Sequence, residues 1–377
     1  LLNKLKKIDI EITGILLLFM VISTLVVRSA TYGDSDYPNY DTKTLIFYTL
    51  GFIVMICVTL FDYRVLVKGS LLIYGIGILS LIAVYFLGEN INGARGWFRV
   101  GAFLIQPAEF VKLAIIITVA YFLQKRQGEP LRIFADVIPI GIVVFVPFAL
   151  VMIQPDLGNA VIYIVILLGM FWIGNIKLSH ATIGLLIMGA FLGSFLYVFN
   201  AFGPEIKQYL NEQDKGHWYQ RINTFVNPSE ASNDEQYQVR NSMIAIGSGS
   251  LTGDGYMNGN SKNKRFIPFA YSDSIFVVIG EEFGFVGASV LLLLYFLLIY
   301  RMILIAIQCR ELSGSFIIVG IVSMFVFQIF ENVGMLIGLM PLTGITLPFI
   351  SYGGSSLLIN MACIGIVLSI KAHQEAY

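Results

Sequence analysis

Apolar residues in this chain fall into long runs, and within each run the polar positions are too few to give a helix a wet face. Ten runs stand out, at roughly 8–27, 44–61, 69–87, 108–124, 136–153, 159–174, 181–202, 274–300, 314–337 and 354–371. Each approaches the ~20 residues with which an α-helix crosses about 30 Å of hydrocarbon. The pattern predicts an all-α, polytopic integral membrane protein of ten transmembrane helices, one membrane domain over 1–377. Positive charge orients it. Lys4, Lys6, Lys7, Arg64, Lys68, Lys125, Arg126, Arg132, Lys177, Arg301, Arg310 and Lys371 fall in one set of loops and tails; the short loops opposite carry Arg28, Lys43, Arg95 and Arg99. Basic residues accumulate on the cytoplasmic side. Both termini are therefore expected in the cytoplasm, and the loop 203–272, between the seventh and eighth predicted helices, is expected outside.

Composition agrees with the membrane. Apolar residues make up 57% and charged residues 13% of the chain, about half the ~25% charge of a soluble domain, and mean hydropathy is +0.79. The 24 basic and 24 acidic residues balance, which gives no reason to expect nucleic acid. Cys57, Cys309 and Cys363 lie in or beside apolar runs without CxxC spacing and read as small helix residues. No cleavable signal peptide is evident; Lys4, Lys6 and Lys7 precede a full-length span expected to act as its own start signal.

The long loop is too mixed for a spacer, with seven basic and seven acidic residues besides His217, Trp218, Tyr219 and Tyr237. Connections of this length tend to be functional or disordered. Around 237–246 apolar residues recur at helical spacing, predicting a helix at the membrane surface. The segment 247–260, GSGSLTGDGYMNGN, lacks GxxxxGK[ST]; it reads as a glycine-rich turn or, more weakly, as a phosphate-binding backbone.

Ionisable groups within or beside the spans are the candidates for chemistry, because each is costly in hydrocarbon unless paired or wet. Glu109 and Lys112, three apart in QPAEFVKLA, can pair on one helical face, with Pro107 suited to the first turn. Asp156, in QPDLGNA, is either a substrate contact or the cap of the next helix. One of Glu281 and Glu282 is expected to face the bundle interior, and Glu331 and Asn332 are candidates for a polar interior. The segment 340–356, MPLTGITLPFISYGGSS, is apolar but broken by Pro and Gly. It predicts a re-entrant loop lining a cavity, with Ser351 a candidate substrate contact. Asp273 stands where the long external loop meets the eighth helix, wet enough to ionise and close enough to meet a bilayer-anchored substrate.

The segments NGARGWFRVGAFLIQPAEFVKLA (92–114), QPDLGNA (154–160), VRNSMIAIGSGSLTGDG (239–255), YSDSIFVVIGEEFGFVG (271–287) and ENVGMLIGLMPLTGITLPFISYGGSS (331–356) together resemble the SEDS family, the RodA/FtsW/SpoVE proteins of bacterial cell-wall synthesis. The resemblance implies a peptidoglycan glycosyltransferase of the bacterial cytoplasmic membrane that polymerises lipid II at the outer face, in complex with a class B penicillin-binding protein. The family's essential carboxylate, the Asp of its HTDFIF motif, falls on Asp273, and its Glu/Lys pair falls on Glu109 and Lys112. Departures are clear. Tyr271 and Ser272 replace His-Thr, Ser274 replaces Phe, Phe269 replaces a nearby Glu, and Ala108 stands where Ser is usual. Thr343-Gly344 is closer to RodA and SpoVE than to FtsW. The expected chemistry makes Asp273 the general base for the acceptor hydroxyl, with inversion at the anomeric carbon. Lys112, Arg95, Arg221 and Arg240 are candidates to screen the diphosphate, and a divalent cation is a family-level candidate for the same task; no cluster has metal-ligand spacing. The competing readings are a flippase of lipid-linked precursors, for which intramembrane charge is equally usual, and a scaffold that only recruits the penicillin-binding protein.

Overall fold

The computed structural model describes residues 9–33, 37–91, 94–101, 103–212, 216, 219, 223, 233–259 and 267–374. The helices are α1 (Ile10–Thr31), α2 (Tyr40–Leu60), the short α3 (Tyr63–Lys68), α4 (Ser70–Leu87), α5 (Pro107–Gln124), α6 (Ile138–Ile153), α7 (Leu157–Ile173), α8 (Leu178–Ala201), α9 (Gly203–Glu212), α10 (Asn233–Ser248), α11 (Ile275–Gln308), α12 (Leu312–Leu336) and α13 (Gly354–His373). A single π-helical turn, Ile133–Val137, leads into α6. Among the described residues nine helical stretches are long and apolar enough to cross a membrane. The remaining predicted span is α7, whose 17 residues lie at the short end of the spanning range. The protein is a multi-pass membrane protein.

Local signals explain where the helices start. Asp9 caps α1, accepting from the backbone N–H of Glu11 at 3.1 Å and Ile12 at 3.2 Å. Pro107 opens α5 at a position whose N–H would be orphaned in any case. One departure from an all-helical chain lies between α4 and α5. There, three antiparallel strands, β1 (Glu89–Ile91), β2 (Ala94–Val100) and β3 (Phe103–Ile105), form a small meander in the order β1-β2-β3. Gly101, at φ 62°, makes the turn between β2 and β3.

Helices α5, α12 and α13 form the centre. α5 and α13 are buried along most of their length, whereas α8 exposes nearly all of its residues. α13 lies tightly on α2: a Cβ on Gly365 would stand 2.8 Å from the Met55 carbonyl oxygen. Lipid gives helices no hydrophobic reason to associate, so close approach over small residues supplies the packing. At the end of the bundle that carries both termini, Asp9 binds Arg301 Nε at 2.9 Å and Lys371 Nζ at 2.8 Å, tying α1 to α11 and α13.

α11 breaks at Gly284, where φ is 61° and ψ −159°. The glycine-rich segment after α10 fills the break. Asp254 and Gly255 donate their N–H groups to the Glu281 and Glu282 carbonyls, each at 3.0 Å, and Phe285 and Val286 donate to the Ser250 and Leu251 carbonyls at 2.9 and 3.0 Å. This exchange satisfies backbone that the kink would leave orphaned in an apolar setting. It also corrects the expectation for the two glutamates. Both are buried, at 3% and 1% exposure, because the loop covers the side of the helix that would otherwise be open. Glu282 Oε1 accepts from the Ser29 hydroxyl at 2.5 Å.

Candidate functional site

Asp273 is half-buried on a turn, one residue before the Ser274 cap of α11. It sits at the end of the helix whose dipole attracts negative charge. The turn closes through the Ser272 N–H to the Phe269 carbonyl at 2.9 Å, with Phe269 at φ 51°. The last turns of α12 reach across to it. Asn332 Nδ2 donates at 2.7 Å to the Asp273 main-chain carbonyl and at 2.7 Å to that of Ile345. Its neighbour Glu331 accepts the Thr343 hydroxyl at 2.8 Å. Gly344, at φ +75°, lies between those tethers, and a Cβ there would stand 3.6 Å from Asp273 Oδ2.

The irregular segment between α12 and α13 is built into the protein. Ile345, Leu347, Phe349, Ile350 and Ser351 are all buried. Side chains from surrounding helices take its carbonyls: Tyr48 on Phe349, Tyr295 on Pro348, and Ser23 on Ile350 at 2.7 Å. This is the condition under which non-helical backbone survives at membrane depth. Ser351 uses its hydroxyl within the segment, accepting from the Leu347 N–H at 2.8 Å.

The other motifs converge on the same end of the bundle. A Cβ on Gly158 would stand 2.7 Å from Ile345 Cγ1 and 3.4 Å from Thr343 Cβ, so the start of α7 lies against the loop that faces Asp273. Asp156 caps α7: Oδ1 accepts from the Asn159 N–H at 3.1 Å, and Oδ2 accepts from Asn159 Nδ2 and Gln106 Nε2, each at 2.8 Å. The Gln106 N–H in turn donates to the Ser355 hydroxyl at 3.3 Å. One turn into α5, Glu109 and Lys112 form a buried ion pair at 2.7 Å, with side-chain exposures of 7% and 0%. The Tyr163 hydroxyl donates to the Ala108 carbonyl at 2.9 Å and fixes that turn to α7.

Four tyrosines gather beside the carboxylate. Tyr271 meets Tyr37 in a tilted contact at 4.5 Å and Tyr40 edge-on at 5.1 Å between ring centroids, and Tyr352 meets Tyr40 at 4.3 Å. The Tyr352 N–H donates to the Tyr271 carbonyl at 3.0 Å. Burial, reinforced by Tyr37, Tyr40 and Asp273, pushes the Tyr271 phenol well above its ordinary range. Burial and Tyr40 push the Tyr352 phenol up to about 12. Both stay protonated at neutral pH and can donate hydrogen bonds.

The described candidate arginines are exposed, not buried with this group. Arg95 is exposed on β2 and Arg240 is exposed on α10; α10 meets the chain just past the C-terminal end of α12, where its Val239 and Met243 come within 4 Å of a Cβ placed on Gly338. Arg221, like His217 and Trp218, lies outside the described residues. A shallow hollow lined by Pro204, Lys207, Gln208, Asn211 and Glu212 sits on α9. It is open to solvent, and none of its lining residues belongs to the motifs above. Among the described residues no three His, Cys, Asp or Glu side chains gather within metal-binding reach. Sequence reasoning missed Gln106, Thr343, Ser355 and the tyrosine cluster; only the recurrence of Tyr at 37, 40, 271 and 352, next to motif positions, could have pointed to the last.

The model of the cell cycle protein family FtsW/RodA/SpoVE matches residues 5–376. The chain belongs to this family. Stage V sporulation protein E of Bacillus subtilis is 34% identical over 376 residues, covering 97% of this chain and 98% of that protein. The peptidoglycan glycosyltransferase MrdB of Escherichia coli is 32% identical over 361 residues, covering 96% and 92%. Among solved structures, one described as structural coordination of polymerization and crosslinking by a peptidoglycan synthase complex contains a similar chain, with a TM-score of 0.79 at 26% identity, covering 98% and 99%. Rod shape determining protein RodA of Thermus thermophilus superposes with a TM-score of 0.70 at 25% identity and 98% coverage of both chains.

Proposed function

We propose that this protein is a peptidoglycan glycosyltransferase that polymerises lipid II into glycan strands, with Asp273 as the general base. The observation that carries the reading is the convergence on one half-buried carboxylate of the α12 end, the 343–345 loop and the α7 start. Relatives named as peptidoglycan glycosyltransferases, such as MrdB, support the reaction class. In the reaction, the acceptor 4-hydroxyl attacks the donor's anomeric carbon, the bond from that carbon to the polyprenyl diphosphate breaks, and the hydroxyl proton passes to Asp273. Diphosphate is already a good leaving group, so the protein's share of the work is activation and alignment of the hydroxyl and screening of charge. One base with direct attack inverts the anomeric centre. Lys112 is a candidate for the charge screening, in exchange for or alongside Glu109. Arg95, Asp156, Arg221, Arg240 and Ser351 are further proposed substrate contacts, with Asp156 and Ser351 the less available because their oxygens already serve a helix cap and the loop backbone. Among the described residues the groups around Asp273 do not form a ligand cluster that fits a divalent cation.

The distribution of Lys and Arg supports cytoplasmic termini and an external catalytic face, where lipid II is displayed. A class B penicillin-binding protein is the proposed partner that cross-links the strands. The test is polymerisation of lipid II by purified protein in detergent, with and without such a partner. Asp273→Asn is expected to remain folded and to lose about 10²–10⁴-fold in rate. Strand formation at the normal rate by that variant would remove the base from Asp273, and no strands from the wild type under any partner condition would favour a flippase or a scaffold instead.

A further inference from the structure

We infer that Asn332 is a positioning residue for the Asp273 carboxylate, holding the Asp273 peptide and the 343–345 loop in one fixed relation. The inference rests on Asp273 being the base. Asn332 is wholly buried near the end of α12. Its amide group carries two hydrogens, and both are engaged, one on the main-chain carbonyl of Asp273 and one on that of Ile345, each at 2.7 Å. Glu331, the preceding residue, holds the Thr343 hydroxyl. Two consecutive helix residues thus tether Thr343, Ile345 and Asp273, and Gly344, between the loop's two tethers, is the residue whose backbone faces Asp273 Oδ2.

A buried asparagine in a membrane helix is costly to keep. If its purpose were only to join α12 to the loop, the Ile345 bond would suffice. The second bond goes instead to the peptide of the carboxylate-bearing residue. Asp273 lies ahead of the first turn of α11, on a stretch that the helix ladder does not yet hold, so its position depends on tethers from elsewhere. Displacement of a catalytic group by about 1 Å can cost on the order of 10²-fold in rate. Asn332 therefore acts through Asp273 and touches no substrate.

The experiment measures lipid II polymerisation against substrate concentration and pH for the wild type, Asn332→Leu, Asn332→Ser and Asp273→Asn, with the folded fraction of each taken from its thermal transition in detergent. Asn332→Leu preserves bulk and removes both bonds. It is expected to lower kcat about 10²-fold per folded molecule, with KM within about threefold of wild type, and to displace the acid limb of the kcat/KM profile. Asn332→Ser, which can donate one of the two bonds, is expected to fall between Leu and wild type, and it decides the matter if the Leu variant is not recovered folded. A purely structural role would lower the folded fraction while leaving kcat per folded molecule and the pH profile unchanged, and that result overturns the proposal. Wild-type rates in Asn332→Leu with an inactive Asp273→Asn overturn the positioning role alone. Wild-type rates in Asp273→Asn overturn both.

Discussion

Glu109 and Lys112 show how a pair of residues can serve packing and chemistry together. The two charges meet at 2.7 Å inside the bundle, where neither is stable alone: removing one partner of a buried pair costs about 3–5 kcal/mol, whereas replacing both by apolar groups of similar size is often neutral. Lys112→Met is accordingly expected to lower the thermal midpoint strongly, and Glu109→Met with Lys112→Met to restore most of it. If Lys112 also screens the diphosphate, the restored double variant has a raised KM for lipid II, a loss that stability measurements do not register. The pair was legible in the sequence because three residues along a helix fix the geometry before any tertiary contact forms. The hydroxyl of Thr343 on Glu331 was not, because that contact joins segments whose approach the helical repeat does not specify.

At the scale of elements, the kink in α11 and the glycine-rich segment form one unit. Backbone N–H and C=O groups from 250–255 replace the helical bonds lost around Gly284. At φ 61° and ψ −159° this backbone belongs to glycine alone, and a Cβ there would stand 2.5 Å from the Gly253 nitrogen and 2.7 Å from the Gly249 oxygen. Strain of about 1–3 kcal/mol plus overlap with unyielding main chain predicts that Gly284→Ala loses more than about 3 kcal/mol of stability or fails to be recovered folded. Gly75→Ala, in α4 with nothing within 4 Å of its Cβ, is the control expected to be tolerated, both variants being compared by thermal unfolding in one detergent. The sequence offered a turn or a phosphate cradle for 247–260. Over the described part of that segment a turn forms, and the N–H groups of Asp254 and Gly255 are taken by Glu281 and Glu282, a stretch of the same chain some thirty residues later in sequence.

For the molecule as a whole, the end that carries the termini is closed by Asp9, on which α1, α11 and α13 meet. Burial would raise this carboxyl's affinity for a proton, but hydrogen bonds from Lys371, the Ile12 backbone and Arg301 outweigh it and hold the group below its ordinary range. A carboxylate depressed in the folded state contributes stability that is complete above its unfolded value and is lost as pH falls through its folded value. Wild type is therefore expected to exceed Asp9→Asn by about 1–3 kcal/mol at pH 7. The gap should narrow progressively below about pH 4; thermal midpoints of the two proteins between pH 3 and pH 7 check this. A constant gap across that range would mean that the carboxylate's charge is not what holds the three helices.

The sequence by itself determined that the chain crosses a membrane repeatedly, where most spans run, that Glu109 and Lys112 pair, and which carboxylate stands at the loop–helix junction. These follow from local quantities: the length of apolar runs, the cost of an ionisable group in hydrocarbon, and the spacing of residues along a helix. Tertiary structure alone decided that Glu281 and Glu282 are both buried, that Asp156 shares its oxygens between its own helix and Gln106, that the segment before α13 is satisfied by hydroxyls from α1, α2 and α11, and that Asn332 grips the peptide of Asp273. Each of those contacts joins positions tens to hundreds of residues apart, and only the packed bundle fixes which buried donor meets which orphaned acceptor.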